Sequence, residues 1–280
     1  MTGEASAGRL WRGWGAPSQP SGLYLLCWFL GTVLLAFLVI PLVALALTQS
    51  GTSLAGVARM ADVRDAIALS LECAFLSAAV ATLAGVPLAY GLARTAFPGK
   101  GVIAALVDLP LAVPHTVAGI ALLMVFGRQG FFGEPLQTVG LKFWGTVAGV
   151  VIAMLFVSAP YTVNAARIGF EAVDPRLEKI ARTLGLGPWR TFFRVTLPLA
   201  RRSIMTGVTL TYARSISEFG AVIILVYYPM TAPVKIYELF LRFGLEQSAA
   251  AAVLLLIVSL SLFIALRTLA QRGGPMRENR

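Results

Sequence analysis

Charge is scarce in this sequence. Of its 280 residues only 13% are Asp, Glu, Lys or Arg, against about 25% in an average soluble domain. With 58% of residues apolar, the chain falls among integral membrane proteins rather than soluble domains. Acidic residues are scarcer still, 13 against 23 basic ones, for a net charge of +10. In a membrane protein such an excess is tested against topology before nucleic acid is invoked. The chain has one histidine, His115, and two cysteines, Cys27 and Cys73. That inventory excludes most metal schemes and any disulfide framework. Both cysteines sit in apolar runs and read as packing residues. Also missing is the phosphate cradle G-x-x-x-x-G-K-[ST]. The only Gly-Lys pair, Gly99-Lys100, is followed by Gly101 and reads as a turn. Without a nucleophile elbow or haem ligand pair either, the chain reads as no hydrolase of its own.

What is abundant is long apolar sequence. A crossing helix needs about 20 apolar residues for roughly 30 Å of hydrocarbon. Six segments qualify, near 23–47, 66–93, 101–127, 143–166, 203–228 and 248–269. The first follows Arg9 and Arg12 and contains Ala44-Leu45-Ala46, which resembles a cleavage site. Its apolar core is longer than the roughly 7–15 residues of a signal peptide, so it reads as a retained span. The expectation is an all-α integral membrane protein with six transmembrane helices.

The basic residues then fix a topology. With the N-terminus inside, 16 Lys and Arg fall in inner segments and 6 in outer loops, with Arg214 inside a span. That bias places both termini in the cytoplasm and accounts for the net charge without nucleic acid. It also puts residues 167–202 on the inner face.

That inner segment has an unusual pattern. Asp174-Pro175 reads as a helix start, with Asp as N-cap and Pro at the first helical position. Glu178 sits in the first turn, where negative charge suits the helix dipole. Leu177, Ile180, Ala181 and Leu184 then form one apolar stripe opposite Arg176, Lys179 and Arg182. Gly185 falls where a left-handed cap would end the helix. Gly187-Pro188 starts a second short helix with Trp189, Phe192 and Phe193 on one side and Arg190 and Arg194 on the other; Leu197-Pro198 would end it. Two basic amphipathic helices joined by a glycine elbow suit either lipid headgroups or a docking partner.

The segment resembles the cytoplasmic loop of permease subunits of binding-protein-dependent ABC importers. That loop has the form EAA, three residues, Gly, nine residues, Ile-x-Leu-Pro. Here Lys179-Ile180-Ala181 stands at the EAA positions, Gly185 at the glycine, Val195 in place of Ile, and Leu197-Pro198 at the expected spacing. The glutamate and first alanine of the pattern are absent, and Glu178 lies one place early. The resemblance covers roughly residues 65–260 and implies the type I ABC importer permease fold. It implies a coupling loop, 171–202, within a permease domain of residues 23–270, flanked by cytoplasmic tails 1–22 and 271–280. Asp174, Leu177, Lys179, Ala181, Leu184, Gly185, Trp189, Arg190, Phe192, Phe193, Leu197 and Pro198 would couple it to a separate ATPase, with the aromatics as apolar anchors and the arginines serving orientation.

Two further stretches carry the resemblance toward one branch. RSISEFGAVIIL, residues 214–225, and LPLAVPHTVAGIALL, residues 109–123, are similar to molybdate, tungstate and sulfate permeases. Pro110 and Pro114 would break the third span and leave Asp108 to cap a restarted helix. Thr116, Ser215 and Ser217 would offer neutral hydroxyls to an oxyanion that must both enter and leave. Arg214 and Glu218, four apart, can pair on one face; they read either as structural or, with Pro110, Pro114, His115 and Thr116, as part of the path.

The resemblance implies partners: two ATPase subunits holding ATP and Mg, an extracytoplasmic oxyanion-binding protein on outer loops 128–142 and 229–247, and a second permease copy as homodimer. It implies no cofactor in this chain, and a multi-pass position in the cell membrane. A sulfate or thiosulfate permease is the near alternative. An ion-gradient-driven secondary transporter is the distant one, though no inverted repeat supports it. A membrane anchor without transport would need no broken span.

Overall fold

Among residues 22–272, which the computed structural model describes, every regular element is a helix. The arginines and tryptophans expected in the N-terminal tail, and most of the C-terminal tail, lie outside the described residues. Residues up to Ser50 form one unit, whose helix α1 (Gly22–Leu47) is long and apolar enough to cross a membrane. Cys27, on α1, is exposed.

The second unit runs from Gly51. It begins with α2 (Gly51–Arg59), α3 (Ala61–Arg94), α4 (Lys100–Ala112), α5 (His115–Phe126), α6 (Gly133–Thr138) and α7 (Val147–Glu171). The chain then turns through two short helices, α8 (Pro175–Thr183) and α9 (Pro188–Thr191), and a π turn at Phe192–Thr196. α10 (Leu197–Ile216), α11 (Gly220–Leu225), α12 (Ala232–Phe243) and α13 (Leu245–Arg272) complete it.

The core is the mutual packing of α3, α7 and α10. α3 turns small residues inward, among them Ala66, Ser70, Ala74, Ala78, Ala81 and Ala89. Small residues let helix backbones approach closely, which matters where lipid is as apolar as the interior and burial alone drives little. Cys73 is fully buried there, as a packing residue should be. Hydroxyls bind the three helices together. Ser215 Oγ lies 2.9 Å from Ser158 Oγ and 3.2 Å from Ser77 Oγ, and the Thr162 and Thr211 hydroxyls meet at 2.7 Å.

At the end of the unit where α3 begins, amphipathic α12 packs on α3 and α13. Its Lys235 is buried and bridges Asp62 at 2.6 Å and Glu238 at 2.5 Å. Burial disfavours the ammonium, but the two carboxylates more than offset that and hold its pKa above the ordinary lysine range.

Among the described residues, length and apolarity alone do not reproduce six spans. Four described helices, α1, α3, α7 and α13, are each long and apolar enough to cross, and the α4–α5 pair makes a fifth only as one broken span bent by 111°. The expected fifth span, 203–228, is split: α10 ends at Ile216 and α11 restarts at Gly220. α10 itself carries Arg201, Arg202 and Arg214, which lowers its apolar content. A hydropathy window does not register a three-residue break inside an otherwise apolar run.

Candidate functional site

The basic segment 174–198 folds as a compact bracket. Asp174 caps α8, its side chain accepting from the Arg176 N–H at 2.8 Å, and Pro175 follows as the first helical residue. α8 ends as its sequence predicts. Gly185 has φ of +87°, and the N–H groups of Gly185 and Leu186 reach back to the carbonyls of Arg182 and Ala181 at 3.0 and 3.1 Å. This is a Schellman cap, and an L side chain fits that backbone poorly.

The second helix does not stop at Leu197-Pro198. It passes through the π turn and continues as α10. Pro198 has no N–H for the carbonyl four residues back, and its ring would crowd that turn. The wider π turn, in which the Leu197 N–H reaches the Phe192 carbonyl, absorbs the mismatch. The bracket is therefore continuous with a core helix instead of hinged to it.

Two groups of side chains divide the bracket. Leu177, Lys179, Ile180, Leu184, Trp189, Arg190 and Phe193 are exposed. Trp189 and Phe193 stack at 6.4 Å, with Trp189 76% exposed. Ala181 is buried, and Leu197 is half-buried. Phe192 corrects the expectation of a third outward anchor: it turns inward, 4.8 Å from the Tyr90 ring and 6.0 Å from Phe170. Helical geometry separates residues 192 and 193 by about 100°, so both cannot share one face.

Glu178 is what ties the bracket down. It is buried and accepts from Arg94 Nε at 2.8 Å, from the Thr196 hydroxyl at 2.9 Å and from the Tyr90 hydroxyl at 3.4 Å. Arg94 also donates to the Val173 carbonyl at 2.9 Å. The end of α3, helix α8 and the π turn that leads into α10 are thus joined through one carboxylate, and Arg94 adds the link that follows α7. Sequence reading assigned Glu178 only to the dipole and missed Arg94, Tyr90 and Thr196. One signal was available: Glu178 is the sole acidic residue between Asp174 and Glu218, in a run of arginines.

The two helix breaks meet elsewhere in the unit. α5 packs on α11. A Cβ on Gly220 would lie 2.8 Å from His115 Cβ, and one on Gly119 would lie 2.9 Å from Ala221 Cα, so both contacts need glycine. At this junction Arg214 Nη2 lies 2.9 Å from Glu218 Oε2 and 2.8 Å from His115 Nε2. Arg214 Nη1 donates to Ser217 Oγ at 3.1 Å. Glu218 is buried, its second oxygen accepting the Ala221 N–H at 2.8 Å; His115, Thr116 and Ser217 are exposed.

Other expected path residues lie differently. Pro110 sits inside α4, against an apolar groove of about 410 Å³ shared with Gly85, Leu106, Phe156 and Val163. Pro114 ends the α4–α5 break and stands before α5 with no side-chain cap. Asp108 does not cap α5: it lies within α4 and accepts from Asn164 Nδ2 at 2.5 Å. Ser215 is fully buried in the hydroxyl cluster. In the loop expected to lie outside, Arg128, Gln137, Gly140, Lys142 and Trp144 line a recess of about 410 Å³, with Lys142 Nζ 5.4 Å above the Trp144 ring. Buried Lys235 is unavailable to a docking partner, whereas Arg242 is exposed.

Comparison with known proteins agrees with this architecture. A family described as "Binding-protein-dependent transport system inner membrane component" matches residues 81–273. The chain is 45% identical over 245 residues to the molybdate/tungstate transport system permease protein WtpB of Thermococcus kodakarensis, covering 87% of this chain and 94% of that one. It is 40% identical over 203 residues to the molybdenum transport system permease protein ModB of Escherichia coli K12, covering 71% and 87%. In fold it is similar to a chain of a bacterial ABC transporter that imports alginate, with a TM-score of 0.71 at 18% identity, covering 89% of this chain and 96% of that one.

Proposed function

Because the chain belongs to the family of binding-protein-dependent transport system inner membrane components, we propose that it is the permease subunit of an ATP-driven importer for molybdate or tungstate. The observation that carries the reading is the bracket: exposed aromatics on a short helix pair that is capped, buried at Glu178 and continuous with α10. A lipid-facing pair would need the aromatics but not a buried ionic tie to α3. A force-transmitting knob needs both, because packed elements move as units.

On this reading the bracket faces the cytoplasm, with both termini, and seats in an ATPase subunit that holds the ATP and Mg. Two permease copies enclose the path, two ATPases sit below, and an external oxyanion-binding protein docks above on loops that present Arg128, Lys142 and Arg242. Closure of the ATPases draws the brackets together, α10 carries the displacement, and the junction of α5 with α11 opens outward. Hydrolysis resets it. The chain itself has no nucleotide site, and its basic residues serve topology and docking rather than nucleic acid.

The test is uptake in proteoliposomes containing permease, ATPase and binding protein. Tungstate or molybdate accumulates with internal ATP, the purified permease alone hydrolyses none, and an ion gradient alone drives nothing. Uptake on a gradient without ATPase contradicts the proposal. Uptake of sulfate in preference to tungstate moves the substrate to the sulfate branch.

A further inference from the structure

An importer of dianions has a difficulty at Arg214. A guanidinium in a partly buried path is a strong oxyanion ligand, often bidentate, and a site that binds too well does not release. Arg214 is not open, however. Its side chain is 21% exposed, and Glu218 Oε2 holds its Nη2 at 2.9 Å. The same oxygen lies 3.4 Å from His115 Nδ1, and Oε1 takes the Ala221 N–H at 2.8 Å. One carboxylate thus pairs with Arg214 Nη2 and the Ala221 N–H and lies close to His115.

We propose that Glu218 is a tethered stand-in for the transported ion, and that Arg214, with His115 and the Ser217 hydroxyl, is a transient oxyanion site that opens when Glu218 withdraws. This inference rests on the oxyanion-import reading above. Three placements support it. Glu218 lies in the short link between α10 and α11, so its backbone can shift without melting a helix. The link abuts the other break, at Pro114, so separation of α5 from α11 acts directly on it. Exposed His115, Thr116 and Ser217 give the site an open rim, whereas Glu218 is 1% exposed.

The exchange of one anion for another solves the trapping problem. A dianion entering the open site replaces a carboxylate instead of filling a bare cationic hole. The carboxylate competes to return and expels the ion as the path closes. In the closed state Glu218 pairs with Arg214, so the guanidinium is not left as an unpaired buried charge.

The experiment is equilibrium binding of labelled tungstate to the permease–ATPase complex in nanodiscs, without binding protein or nucleotide. Glu218→Gln, which keeps an acceptor for the Ala221 N–H, is expected to bind tungstate at least about tenfold more tightly than wild type, because a charge-assisted contact is freed. The double variant Arg214→Gln/Glu218→Gln is expected to lose that gain. If the single Gln variant does not assemble, Glu218→Asp, with a shorter tether, carries the same comparison. Binding by the single variant no tighter than wild type, or equally tight binding by the double variant, overturns the proposal. ATP-driven tungstate uptake by the wild-type complex is measured in parallel. Its absence would sink the import reading itself, whichever way the binding result falls.

Discussion

Gly185 and Glu178 show what single residues do here. Nothing lies within 4 Å of a Cβ built on Gly185, so a side chain there meets no neighbour and only the backbone conformation resists it. Gly185→Val should therefore insert normally but strain the elbow by about 1–3 kcal/mol. The expected outcome is ATP hydrolysis near wild type in the assembled complex with tungstate uptake reduced at least about tenfold. Normal uptake would argue against the elbow as a coupling element. Glu178 acts through burial. Glu178→Ala leaves Arg94 without its counter-charge, a loss of about 3–5 kcal/mol for a buried pair. Trypsin should then cut faster at Arg176, Arg182 and Arg190. A second change, Arg94→Met, should recover part of the resistance, since the orphaned charge is gone. Gly185 and Asp174 were legible in the sequence because their roles are local, set by neighbours two to four places away. Glu178 was not, because its partner Arg94 is 84 residues distant and only the fold brings them together.

Helices α5 and α11 carry the next level. Both restart after a break, and they touch through Gly119 and Gly220 where no Cβ fits. Gly220→Ala should wedge them apart at His115. The expected results are a thermal midpoint lowered by several degrees, as overpacking costs about 1–3 kcal/mol, and tungstate leakage from loaded vesicles without ATP. An unchanged midpoint and tight vesicles would mean that the contact yields freely. The break at Pro114 was readable, since two prolines in an apolar run announce it. The break at 217–219 was not, because no proline marks it and the flanks stay apolar. At α12, Lys235 bears on pH. Its pKa lies above the free value of 10.5, so the stability it adds is complete below that pH and drains away as pH rises through the folded value. Wild type should lose its advantage over Lys235→Met in thermal midpoint between neutral pH and strongly alkaline buffer. A constant difference would mean that the ion pairs with Asp62 and Glu238 contribute nothing.

For the whole molecule, composition and charge placement gave the membrane class, and residues 174–198 gave the family resemblance. The continuity of the spans did not follow, because hydropathy measures apolar length and not whether a helix is unbroken. The division of the bracket into outward Trp189 and Phe193 and inward Phe192 needed the structure as well. That division roots one aromatic in the bundle and leaves two exposed, the pair that would meet an ATPase on the proposed reading. Trp189→Ala with Phe193→Ala should weaken ATPase binding by about 2 kcal/mol or more, as loss of a central aromatic anchor does, while leaving the inserted permease folded.

The most direct measurement is site-specific cross-linking from position 189. With Cys27→Ser and Cys73→Ala in the background, Trp189→Cys is paired with single cysteines along the cleft of the ATPase, with and without nucleotide. Efficient cross-links to that cleft are expected, with a yield that changes when ATP closes the ATPases. An assembled, active complex in which residue 189 cross-links to lipid alone, or to no second chain in any nucleotide state, would contradict this expectation.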